Sequence, residues 1–136
     1  IQVKNKTINI LRLGSITEEE IKKKFKKIKT KKIPYTKLSP GNQKKHYSPN
    51  LPIRINVKKV KNDEVLLNFG KNKLSSKIFS LNLSESRSLV EASRNFFHYL
   101  HILDKYKCKG IAVATIPLKG LGKTINDRIK RASINK

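Results

Sequence analysis

Tryptophan and methionine are absent from this 136-residue chain, and cysteine occurs once, at Cys108. A single thiol excludes an internal disulfide and a cysteine-based metal cage, so a buried, inert Cys in a reducing cytoplasm is the expectation. Apolar runs are short. None approaches the roughly 20 residues that a bilayer-spanning helix needs, which argues against a membrane partner. The start, Ile1-Gln2-Val3-Lys4, carries no signal-peptide core and reads as the continuation of a strand that begins upstream. Acidic side chains are scarce as well: 9 Asp and Glu stand against 32 Lys and Arg, for a net charge of +23.

Such an excess of cations ordinarily points to nucleic acid, because Lys and Arg neutralise phosphates and release counterions. Here the excess is mostly Lys, spread through a chain rich in Ile and Asn. Base readout favours the planar fork of Arg and aromatic platforms, and this sequence is poor in both. A free-standing basic RNA-binding or ribosome-associated module therefore stands as the alternative reading, supported by charge alone.

The length suits one small domain plus an arm. Thr7 to Leu13 reads as a strand ending at Gly14. Thr17 is a good N-cap with Glu20 at the capping-box spacing, and Ile21, Phe25 and Ile28 mark one apolar stripe of a helix. Periodicity then vanishes from Lys29 to Pro52, where Pro34, Pro40, Pro49 and Pro52 break the chain repeatedly, so this stretch is expected to be an extended connector. Beyond it, Ile53–Val57, Val65–Phe69 and Ile78–Leu83 read as strands. A long helix capped by Ser84 and carrying Leu89, Phe96, Leu100 and Leu103 runs to a basic end at Lys105–Lys109 and stops at Gly110. Ile111–Ile116 reads as a buried strand, and a last helix starts near Lys123. The expected fold class is α/β: a small Rossmann-like parallel sheet with flanking helices, preceded by an extended linker and a partial strand-helix remnant of an upstream domain.

Three motifs invite chemistry. Pro117-Leu118-Lys119-Gly120-Leu121-Gly122-Lys123-Thr124 ends like a P-loop, but Pro117 occupies the position where that motif needs its first glycine, and it has no N–H to offer a phosphate. His98 and His101 sit at i, i+3 without a third ligand in sight, so no metal site is assigned. The segment Ser39-Pro40-Gly41-Asn42-Gln43-Lys44-Lys45-His46-Tyr47-Ser48-Pro49 brackets an imidazole and a phenol between prolines, a stiff strap that a flexible tether would not need.

That strap resembles the S-P-G-M-x-x-x-H-Y-A-P linker of the long, two-domain L-threonylcarbamoyladenylate synthases, with Asn42 for Met and Ser48 for Ala. Ile10-Leu11-Arg12-Leu13-Gly14-Ser15-Ile16-Thr17 is similar to the I-L-R-P-G-A-I-T that closes the YrdC-like catalytic domain of that family, with Leu13 for Pro. Gly120–Ala132 resembles its terminal G-L-G-x-A-I-x-D-R-L-x-R-A-A. The resemblance implies three parts: residues 1–29 as the end of a truncated YrdC-like domain, 30–57 as an active-site linker and 58–136 as a C-terminal Rossmann-like domain. It implies a nucleotidyltransferase that joins L-threonine, bicarbonate and ATP into threonylcarbamoyl-AMP for tRNA threonylcarbamoyladenosine modification. ATP is then a substrate, with Mg²⁺ held mainly by the missing catalytic domain. Arg12, His46 and Tyr47 are the implied ATP- and substrate-binding residues. No catalytic residue falls in this segment, which alone should be inactive. The implied partners are the upstream YrdC-like domain, the small substrates, a downstream threonylcarbamoyl transferase and, as a further candidate, tRNA.

Overall fold

The computed structural model describes residues 1–33 and 48–133, and the chain divides into two compact units, Ile1–His46 and Tyr47–Lys136. In the first unit, β1 (Gln2–Lys4) and β2 (Thr7–Ile10) form an antiparallel hairpin with Lys4 opposite Thr7. Its two turn residues, Asn5 and Lys6, are both left-handed at φ 47° and 55°, the geometry that matches strand twist in a two-residue hairpin. The chain then passes through α1 (Glu18–Lys24) and returns as β3 (Lys29–Lys32), parallel to β2. Lys29–Lys32 is thus a paired strand at the start of the stretch that the sequence suggested to be an extended connector. Its Lys-Thr-Lys-Lys composition hides it, since an edge strand with mostly exposed side chains needs no apolar alternation.

The capping box is present as expected. Glu20 N–H donates to Thr17 Oγ1 at 3.2 Å, and Thr17 N–H donates to Glu20 Oε2 at 2.7 Å. Glu18 to Glu20 at the start and Lys22 to Lys24 at the end complement the helix dipole. Ile8, Ile10, Leu13 and Ile21 form the core of this unit, with Ile28 against it. Phe25 departs from the expected stripe. It is the C-cap, already out of helical geometry, and remains 41% exposed.

The second unit is a four-stranded parallel sheet in the order β4-β7-β5-β6, built from β4 (Ile53–Arg54), β5 (Glu64–Asn68), β6 (Ser80–Asn82) and β7 (Gly110–Val113). Strand β4 ends earlier than the Ile53–Val57 alternation suggested, because Asn56 turns the chain at φ 54°. Residues 48–57, assigned to the linker from sequence, thus carry an edge strand of this sheet. Helices α2 (Leu89–Leu103) and α3 (Leu121–Ser133) cover one face. There Val65, Leu67, Ile111 and Val113 meet Phe96, Leu100, Leu103, Ile125 and Ile129. The opposite face is covered by loops, with Val57, Val60 and Leu74 packed on Leu66 and Ala112.

Two helix boundaries differ from expectation. The N-cap of α2 is Ser88, whose hydroxyl accepts from Glu91 N–H; Ser84 lies one turn earlier, buried, and its hydroxyl accepts from Ser88 N–H at 2.9 Å. The helix stops at Leu103, with Asp104 as C-cap, and does not continue through Lys105–Lys109. Gly110 is accordingly the first residue of β7. A Cβ there would lie 3.0 Å from the Pro52 carbonyl oxygen, so its glycine serves strand packing.

Candidate functional site

Arg12 stands two residues past the end of β2, in the segment that leads to the Thr17 cap. Neighbouring Leu13 is buried in the unit's core, which fixes the backbone at a position where proline would otherwise stiffen it. Arg12 itself is exposed, and among the described residues no carboxylate forms an ion pair with it. It lines a concavity of about 790 Å³ together with Ile10, Gly14, Ile16, Ile21 and Phe25. Ile16 and Phe25 are 67% and 41% exposed, so a cation sits beside an uncovered apolar wall. Chemically, the arrangement can hold an anion against a flat or apolar group. On the rim, the Glu20 carboxyl is held below the usual carboxylate range by hydrogen bonds from Thr17, the backbone N–H contributing most.

His46 and Tyr47 lie outside the described residues, as does the strap from Pro34 to Tyr47. The chain beyond the strap is firmly attached to the second unit. Ser48 Oγ donates to the Ala132 carbonyl at 3.2 Å, and Pro49 is buried. One carboxylate, Asp104, accepts from Asn50 N–H at 2.9 Å, Asn50 Nδ2 at 3.1 Å and Leu51 N–H at 2.8 Å. The chain leaving Tyr47 therefore starts from a fixed anchor at the C-terminal end of α2.

Three other candidates resolve structurally. In the P-loop-like turn, Gly122 N–H donates to the Lys119 carbonyl and Lys123 N–H to the Gly120 carbonyl. Thr124 is buried, and a Cβ on Gly122 would fall 1.9 Å from the Pro117 carbonyl oxygen. The turn is closed on itself, so its glycines serve packing and not a phosphate cradle. His98 and His101 are exposed beside Pro49, Phe97 and Asp104, and no group of three or more His, Cys, Asp or Glu suited to a metal occurs among the described residues. Cys108 is half-buried, with its thiol directed at the Gly110 carbonyl.

Sequence reasoning missed the ion pair of Arg54 and Glu64. Arg54 Nε donates to Glu64 Oε1 at 2.9 Å and Nη2 to Oε2 at 2.6 Å, while Lys61 N–H donates to the same carboxylate at 2.9 Å. The Arg54 hydrogen bond holds the Glu64 carboxyl below the usual range, against the opposing effect of burial. The pair joins β4 to β5 across β7, which identifies it as structural. Only the parallel register puts these residues together, and their spacing in sequence gives no signal.

The family model described as "Threonylcarbamoyl-AMP synthase, C-terminal domain" matches residues 16–133. Among solved structures, that of P. abyssi Sua5 complexed with L-threonine is similar over 93% of this chain, with 22% sequence identity and a TM-score of 0.70. The chain spans 42% of that structure's chain. At this identity the likeness bears on the fold. No helix among the described residues is long and apolar enough to cross a membrane.

Proposed function

The chain belongs to the family of threonylcarbamoyl-AMP synthase C-terminal domains, and from that premise we propose that it works as the C-terminal portion of a cytoplasmic synthase that makes threonylcarbamoyladenylate. In the proposed reaction L-threonine, bicarbonate and ATP give threonylcarbamoyl-AMP, pyrophosphate and water, and a transferase then consumes the product in tRNA modification. The observation that carries this reading is the family match across residues 16–133, which spans both units. The RNA-binding alternative retains only the net charge in its favour.

On this reading the first unit completes an upstream catalytic domain, which would cover exposed Ile16 and Phe25. Arg12 contributes its guanidinium to phosphate oxygens of ATP, where a bidentate contact offsets charge. Its exposure, and the lack of an acidic partner among the described residues, support that role. Tyr47 closes over the nucleotide and His46 supports it. Neither acts as a base, because holding the nucleotide in line and excluding water from a labile mixed anhydride is sufficient. The anchoring of Ser48, Asn50 and Leu51 supports a strap held from one fixed end. The described residues form no carboxylate cluster able to hold Mg²⁺, which on this reading would be held mainly by the upstream catalytic domain.

The test is pyrophosphate release in the full-length protein, with melting curves of the same variants. Arg12→Ala and Tyr47→Ala should each lower the rate on the order of a hundredfold, as loss of a positioning contact can, with nearly unchanged stability. Full activity in both would remove the strap and Arg12 from the site.

A further inference from the structure

We infer that the second unit has a binding site of its own for a phosphate-bearing small molecule of nucleotide size, at the carboxyl ends of its parallel strands. A crevice of about 420 Å³ opens there, within the range of small-molecule sites. Segments that follow all four strands line it: Lys58 after β4, Phe69 and Lys73 after β5, Arg87 after β6 and Thr115 after β7. Its position has a topological cause. Strands β7 and β5 are neighbours, but the chain leaving β7 enters α3 on the helical face, whereas the chain leaving β5 carries Leu74 to the loop-covered face. Connections that diverge from adjacent parallel strands leave a gap outside the strand ends, the usual ligand position in open α/β sheets.

The chemistry of the lining selects an anion. Lys58, Lys73 and Arg87 are exposed, none forms an ion pair among the described residues, and no carboxylate lines the crevice. In a chain of charge +23 three cations alone would mean little. Arg87, however, is held in place. Its backbone is left-handed at φ 64°, unusual for a residue with a side chain, and its guanidinium lies 5.8 Å from the centre of the Phe69 ring. Gly70, at φ 73°, makes room for its stem, since a Cβ there would lie 2.8 Å from Arg87 Cγ. Thr115 and Asn72 add polar groups at the same rim, while Val57, Leu74 and Pro117 provide an apolar side for the remainder of the ligand.

The inference does not rest on the proposed synthase role, and its residues do not include Arg12, His46 or Tyr47. Residue-resolved NMR titration of the full chain with AMP and with ATP, at about 150 mM salt to screen long-range attraction, tests it. Saturable shifts should centre on the amides of Asn72, Arg87 and Thr115, apart from any at Arg12 and Gly14. Arg87→Gln and Lys58→Gln should each weaken binding about tenfold or more, the loss expected for one charge-assisted hydrogen bond. Lys105→Gln, a lysine of the same unit outside the crevice, should change nothing. Shifts scattered over the lysines, equal weakening by Lys105→Gln, affinity unchanged in Lys58→Gln, or a response to a single-stranded RNA oligomer without one to AMP or ATP would each overturn it.

Discussion

Adding one methyl group at residue 122 should destabilise the second unit more than the same change at any other glycine tested. Gly122 is in the first turn of α3, where Ala is intrinsically better than Gly by about 1 kcal/mol. Against that gain, the new Cβ would lie 1.9 Å from the Pro117 carbonyl oxygen, a backbone atom at the end of the β7 connection. Relief requires the start of α3 to lift, and Ile125 and Ile129, 1% and 3% exposed on the shared core, would lift with it. Overpacking of this kind costs about 1–3 kcal/mol where side chains can yield, and backbone yields less. The net expectation for Gly122→Ala is a loss of about 2 kcal/mol, or a fall in Tm of about 10 °C for a unit of this size. Gly120→Ala has open space but a φ of +48°, so it should lose only about 1 kcal/mol. Gly14→Ala meets nothing within 4 Å and has no positive φ, so it should be neutral or slightly stabilising. Because the chain has two units, urea unfolding should be followed through resolved amide signals of Val113 and Ile125 and not through one global probe. A Gly122→Ala protein at least as stable as the parent would refute the packing account of this turn.

Removing the Asp104 carboxylate, as in Asp104→Ala, leaves three donors without their acceptor and should cost about 2 kcal/mol, with faster proteolysis between residues 48 and 52 as the readout. Arg54→Ala should destabilise the sheet by a similar amount, about 2 kcal/mol in chemical denaturation, because Glu64 is left with only Lys61 N–H. The Glu64 carboxyl is lowered on folding, so its contribution is complete above the ordinary carboxylate range and fades as pH falls through the lowered value. A pH series should show this acid-side loss in the parent and its absence in Glu64→Gln. Ser88→Ala should cost about 1 kcal/mol as the loss of the true cap of α2, measured by the same denaturation.

What the sequence disclosed was local. The Thr17–Glu20 box, the buried strand around Ile111 and the apolar stripe of Phe96, Leu100 and Leu103 all announce themselves within a few residues. The errors arise where a partner decides. The hairpin turn at Asn5-Lys6 goes unread because it carries no glycine, and β3 is a strand because β2 offers hydrogen bonds, not because its lysines favour one. Ser84 competes with Ser88 as a cap because both are serines ahead of an apolar run; the left-handed Arg87 between them sets the boundary. Basic residues after Leu103 suggested a longer helix, but Asp104 is taken up by Asn50 and Leu51. For the two proposed sites, Arg12 is singled out by its motif alone, whereas Lys58, Lys73 and Arg87 are scattered in sequence and gathered at one crevice only by the order β4-β7-β5-β6.

The proposed role is that of the C-terminal portion of a threonylcarbamoyl-AMP synthase. Its most direct test is mass-spectrometric detection of threonylcarbamoyladenylate after incubation with ATP, L-threonine and bicarbonate, comparing the full-length protein with this chain alone. Product dependent on all three substrates in the full-length protein, and none from the isolated chain, is the predicted result. No product from a folded full-length protein, or product from the isolated chain, would contradict the account.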